Sequence, residues 1–143
     1  MVWAPNNSFS PKPFDLVVTG EAEDWVSALG QIVGPRWLRP RRVRSDHELL
    51  EVVRTRSADA AVLDDAGGWD IDVLKLLRMI RQLDAALPVV VVTAHTDRKW
   101  LEDALRLAAF SVVVKPLELE ELLRQVHGIM CRLNRMLHEN ENQ

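Results

Sequence analysis

Short apolar runs alternate with stretches of helical spacing along this chain, and that alternation constrains the fold more than any other feature. Phe14-Asp15-Leu16-Val17-Val18-Thr19, Ala60-Ala61-Val62-Leu63-Asp64, Val89-Val90-Val91-Val92-Thr93 and Phe110 to Lys115 are too short for helices and rich in β-branched residues. Continuous runs of this kind read as strands buried on both faces of a parallel sheet. A weaker strand is placed within residues 36–44, where Pro40 suits only an edge or a strand start.

The intervening stretches carry helix signals. Glu21 to Val33 places Trp25, Val26, Leu29, Ile32 and Val33 at helical spacing and stops at Gly34-Pro35. Ser45-Asp46-His47-Glu48 forms a capping box before Leu49, Leu50, Val52 and Val53. Ile71 to Leu87 is predicted as the third helix. A fourth is capped by Thr96 or Asp97 and runs through Trp100, Leu101, Ala104, Leu105 and Ala108. The last opens at Leu117 or Glu118 and continues to about His138. Strict strand–helix alternation with short connections predicts an α/β fold, a parallel sheet covered by helices on both faces.

The bulk properties exclude several classes. With 143 residues and 48% apolar content, one domain with a real core is expected. A net charge of −3 gives no global pull toward nucleic acid or membrane. No apolar run approaches the roughly 20 residues that span a bilayer. The start lacks a basic region followed by an apolar stretch, so no secretory signal is read. The single Cys131 cannot form an intrachain disulfide, which fits a reducing compartment and a cytoplasmic protein. Residues 1–13, with three prolines, read as a mobile tail.

Three polar residues end three of the runs: Asp64, Thr93 and Lys115. In open parallel sheets ligands bind beyond the carboxyl ends of the strands. An acid, a hydroxyl and an amine are therefore expected at one sheet edge, a combination suited to a phosphoryl group. No glycine-rich phosphate loop is present. His47, His95, His127 and His138 are scattered and read as surface residues, with His95 near the proposed edge. Trp25, Trp69 and Trp100 follow strands and either ring that edge or pack on helices.

Three stretches carry a resemblance: Ala58-Asp59-Ala60-Ala61-Val62-Leu63-Asp64, Leu87-Pro88 to Thr93-Ala94, and Val113-Val114-Lys115-Pro116-Leu117-Glu118-Leu119-Glu120-Glu121-Leu122-Leu123. In this order the chain resembles a response-regulator receiver domain over roughly residues 14–128. The resemblance implies a flavodoxin-like (βα)5 three-layer sandwich with strand order 2-1-3-4-5. It implies that Asp64 accepts a phosphoryl group from a histidine kinase, that Thr93 bonds the phosphoryl oxygens, and that Lys115 pairs with the aspartate and its phosphate. The bond before Pro116 is commonly cis in such domains. The implied cofactor is Mg²⁺.

The chain departs from that pattern at specific places. The two acids that would hold Mg²⁺ with Asp64 are replaced by Thr19 and Gly20. Mg²⁺ prefers octahedral oxygen ligands and gains most from carboxylates. Glu21 is either a substitute ligand or a residue of the first helical turn, favoured there by the helix dipole. Asp65 follows Asp64 and is expected to point away from it, because alternate residues face opposite sides. Val112 stands where an aromatic reporter is usual, with Phe110 two residues earlier and on the same face.

Leu119, Leu122, Val126, Ile129, Leu133 and Met136 recur at steps of three and four, a seam of near-3.5 period. Residues 129–138 are expected to extend beyond the receiver body, with a polar tail to 143. Such a stripe predicts a protein partner, most simply a second copy joined through the last helix; the alternatives are that it leads into a domain absent from this chain or folds back onto its own domain. Five arginines and Trp37 lie within residues 36–44 and read as a solvated edge rather than a nucleic-acid surface. The first functional reading is an atypical receiver, a signalling and interaction module working without phosphorylation rather than an enzyme. The alternatives are a phosphorylatable response regulator and a nucleotide- or flavin-binding flavodoxin-like protein.

Overall fold

Among the described residues, strands and helices alternate as predicted, with one short 3-10 helix added before the first α-helix. A computed structural model describes residues 12–65, 69 and 71–141; the side chains of residues 21–23, 26–27, 109 and 134–141 lie outside that description. Residues 1–11 of the N-terminal tail, Ala66, Gly67, Gly68 and Asp70 of the loop after β3, and the last two residues therefore fall outside it as well.

The strands are β1 (Phe14–Val18), β2 (Leu38–Arg42), β3 (Ala60–Asp64), β4 (Val89–Thr93) and β5 (Ala109–Val114). The helices are α1 (Val26–Val33), α2 (Asp46–Arg54), α3 (Val73–Leu83), α4 (Arg98–Ala108) and α5 (Leu119–Glu141). All strands run parallel in the order β2-β1-β3-β4-β5. Their buried runs explain the absence of alternating polarity, since β3 and β4 are buried at every position.

Two apolar layers sandwich the sheet. Leu16, Val18, Val62, Val90 and Val92 face α1 and α5, where Leu29, Leu122, Val126 and Ile129 close the layer. Val17, Leu63, Val89 and Val91 face the other way, onto Leu49, Val53, Leu77, Ile80 and Ala108 of α2, α3 and α4. Burying each such side chain contributes about 1.5–3 kcal/mol before chain entropy is offset.

Local signals act as the residue types dictate. Ser45 accepts the Glu48 N–H at 3.0 Å, while the Glu48 carboxylate reaches back one residue further than a capping box requires, to the Arg44 N–H. Asp97, not Thr96, caps α4 by accepting the Trp100 N–H at 3.0 Å. Pro40 lies on edge strand β2, where a missing N–H is tolerated.

Four expectations are corrected. The segment after Gly20 begins as a 3-10 helix over Gly20–Trp25, and regular α-helix starts only at Val26. Helix α3 stops at Leu83 instead of Leu87, because Asp84 leaves helical geometry and its carboxylate accepts the Ala86 N–H. Phe110 does not share a face with Val112. The β4–β5 register skips it between Val89 and Val90, so this bulge turns Phe110 toward Gly128 of α5 while Val112 packs on the opposite layer. The stripe on α5 is largely used within the domain: Ile129 and Met130 are buried and Leu133 packs beside them, so the body continues past residue 128.

Candidate functional site

The carboxyl ends of β1, β3, β4 and β5 form one edge, and the site residues follow from how each strand stops. Asp64 is the last residue of β3 and is only 7% exposed. Its Oδ1 lies 2.9 Å from Lys115 Nζ, which extends from the end of β5. The Lys115–Pro116 peptide bond is cis. A carboxylate so buried needs a partner, and breaking such a pair leaves an uncompensated charge.

Thr19 directly follows β1, and its hydroxyl accepts the Asp64 N–H at 2.9 Å. The adjacent ladder bond, Thr19 N–H to Val62 C=O, is an ordinary parallel one. The hydroxyl therefore supplies an acceptor just where the backbone turns away at Gly20. Gly20 has φ +61°, a left-handed conformation that glycine adopts freely. A Cβ built there would meet Asp64 Cβ at 2.3 Å, Cγ at 2.7 Å and Oδ2 at 2.8 Å. The backbone of Gly20 thus lies directly against the Asp64 side chain.

Thr93 reaches the same edge but belongs to the other face. Val92 and Val62 face α1 and α5, as Asp64 does after them, while Val91 and Leu63 face α3 and α4. Alternation carries Thr93 and Asp65 to the α3–α4 side. Thr93 is fully buried, and its hydroxyl donates to Asp65 Oδ2 at 2.5 Å and accepts the His95 N–H at 2.9 Å. The three strand-end residues share an edge, but only Asp64 and Lys115 make direct side-chain contact.

His95 and Asp65 are the neighbours that the sequence pattern underrated. His95 Nε2 lies 3.5 Å from Asp65 Oδ2, and the imidazole stacks on Trp100 with centroids 4.1 Å apart. Trp69 lines a shallow cleft with Thr19, Asp64 and Asp65. Trp25 packs in the α1–α5 layer instead, with its indole N–H buried and without an acceptor among the described residues. Of the three tryptophans, two border the edge.

A search for the implied Mg²⁺ ligands meets this geometry. Thr19 is 3% exposed with its hydroxyl engaged, Gly20 has no side chain, and the Glu21 side chain lies outside the description. Among the described residues no group of three His, Cys, Asp or Glu can hold a metal ion. Among the described residues that line the cleft, the carboxylates are those of Asp64, already paired with Lys115, and Asp65, already bonded to Thr93, and Thr19 and Gly20 add none.

Residues 16–127 match the family model for the response regulator receiver domain. The chain belongs to the receiver domain family. Receiver domains are signalling modules rather than enzymes in the usual sense. Curated relatives include the DNA-binding transcriptional regulator NtrC of Klebsiella pneumoniae, 33% identical over 82 residues, covering 57% of this chain and 17% of that protein. The C4-dicarboxylate transport transcriptional regulatory protein DctD of Pseudomonas aeruginosa is 30% identical over 95 residues, covering 66% of this chain and 20% of that protein. The receiver thus spans a fifth or less of these relatives. Among solved structures, a CheY-like receiver domain protein from Methanospirillum hungatei superposes with TM-score 0.71 at 14% identity, covering 87% of this chain and 98% of that one. The receiver of a putative LuxO repressor from Vibrio parahaemolyticus gives TM-score 0.72 at 18% identity, covering 92% and 98%. These establish the fold; no helix among the described residues is long and apolar enough to cross a membrane.

Proposed function

We propose that this receiver works in two-component signalling as a protein-interaction module that does not use phosphorylation of Asp64. The observation that carries the reading is the Thr19–Gly20 corner, where the Thr19 hydroxyl is taken up by the Asp64 N–H and the Gly20 backbone packs against the Asp64 side chain, so that neither residue offers an acid there. A phosphoryl group entering at Asp64 would need a divalent cation beside the carboxylate, and Thr19 and Gly20 bring that cation no acidic ligand. Thr19 and Lys115 then serve the fold, one completing the β1–β3 ladder and the other balancing a buried charge.

The partner is a protein, either a histidine kinase or a downstream effector. A second copy is the further candidate, joined through the turns of α5 beyond Leu133, and light scattering of the full chain reports it directly. The competing reading, a phosphoacceptor aspartate, draws on the close Asp64–Lys115 pair and the buried Thr93. Incubation with acetyl phosphate and Mg²⁺, followed by intact mass, separates the two. The unmodified mass is expected. A phosphoryl adduct that disappears in Asp64→Asn would overturn the proposal.

A further inference from the structure

The β4–α4 corner holds a set of contacts independent of Asp64. Thr93 Oγ1 works in two directions, giving its proton to Asp65 Oδ2 and receiving the His95 N–H. The same Oδ2 lies 3.5 Å from His95 Nε2. The His95 ring lies nearly parallel to the Trp100 indole, 14° between planes. Trp100 is in the first turn of α4, its N–H bonded to the capping Asp97, and its side chain packs against the α2–α4 core layer. A continuous line of directional contacts therefore runs from the end of β3 to the start of α4.

We propose that Asp65 is a resident anionic ligand of this corner, holding Thr93, His95 and the first turn of α4 as one unit. The Asp65 side chain is only 10% exposed, so its charge is answered by the hydroxyl and the imidazole more than by water. A hydroxyl that donates to a carboxylate carries more negative charge on its oxygen, and so accepts the His95 N–H more strongly. Each bond in the line strengthens the next. The position of α4 is set from Asp65, on the α3–α4 side of the sheet, while Asp64 is paired with Lys115 on the other side. An external anion could reach the Thr93 hydroxyl only by displacing the Asp65 carboxylate. The inference stands whether or not Asp64 accepts a phosphoryl group.

Amide hydrogen exchange across residues 95–101 tests it, with α5 amides as the internal check on folding. Asp65→Asn and Thr93→Val are each expected to speed exchange there about tenfold or more. The double variant should be no faster than the faster single, because one change takes the charge and the other the hydroxyl from the same link. Thr93→Ser keeps the hydroxyl and should stay close to wild type. Unchanged exchange in Asp65→Asn, effects that multiply in the double variant, or Thr93→Ser behaving like Thr93→Val would each overturn the proposal. If Thr93→Val loses α5 protection as well, Asp65→Asn and Thr93→Ser alone decide the outcome by the same criteria.

Discussion

Replacing Gly20 with alanine places a methyl group where the backbone leaves no room. Two costs add. An L-residue held at φ +61° costs about 1–2 kcal/mol relative to glycine. A Cβ at 2.3 Å from Asp64 Cβ, with Cγ at 2.7 Å, forces the backbone or Asp64 to shift, and overpacking of this kind costs about 1–3 kcal/mol. The sum is about 2–5 kcal/mol. For a domain of this size each kcal/mol moves Tm by roughly 3–4 °C, so Gly20→Ala should melt about 6–20 °C below wild type by circular dichroism. The steric part has its own signature. Asp64→Gly removes the clashing Cβ, so the cost of Gly20→Ala should fall by about 1–3 kcal/mol in that background. A Tm within about 2 °C of wild type, or strictly additive costs, would show that Gly20 does not press on Asp64.

Other expectations follow from single contacts. Lys115→Met should cost about 3 kcal/mol in urea titrations, by leaving the buried Asp64 charge short of its cation, and Asp64→Asn in the same chain should recover most of it; equal losses in both would argue against charge as the cause. Thr19→Val should cost about 1–3 kcal/mol, since the Asp64 N–H loses its acceptor, whereas Thr19→Ser should cost less. Arg81 donates from its guanidinium to Ala85 and Leu87 carbonyls at the end of α3, so Arg81→Lys, lacking the planar fork, should destabilise by about 1 kcal/mol; an unchanged melting curve would count against that role. Asp59 accepts the Asp15 N–H, yet partial burial, and then the charge of Asp15, push its carboxyl above the ordinary range. The folded state thus holds that proton to higher pH than the unfolded chain, and its penalty is present in full once Asp59 ionises. Asp59→Asn should be at least as stable as wild type at neutral pH, and that advantage should shrink on acidification through the carboxylate range; an advantage that grows in acid would reverse the sign.

The fold was largely legible because buried parallel strands announce themselves. Four apolar runs and their separation suffice for the sheet, and the capping residues Ser45 and Asp97 mark two helices. What escaped was set by tertiary contact. Leu87 continues the apolar stripe of α3, but it packs in the core after the chain has already turned at Asp84. The bulge at Phe110 is invisible to period-two alternation, and it is matched by Gly128, whose missing side chain makes space for the ring at 3.2 Å from a built Cβ. On α5 the stripe signalled burial, but spacing alone cannot say whether the cover is another chain or the domain's own sheet; for Leu122 to Met130 it is the sheet. At the site, Asp64, Thr93 and Lys115 were legible as strand ends. Alternation also correctly sends Asp65 to the face opposite Asp64, but the same rule applied to Thr93 pairs it with Asp65. The replacement of an acid by Gly20 reads in sequence as a loss, whereas in the structure the glycine is required by the closeness of Asp64.

If the Thr19–Gly20 corner leaves Asp64 without a metal-assisted phosphoryl site, neither Mg²⁺ nor beryllofluoride should engage it. Titration of ¹⁵N-labelled protein with Mg²⁺ and beryllofluoride, followed amide by amide, tests it most directly. No saturable shifts are expected at Thr19, Gly20, Asp64, Asp65, Thr93 or Lys115. Saturable shifts at these amides that vanish in Asp64→Asn would contradict it.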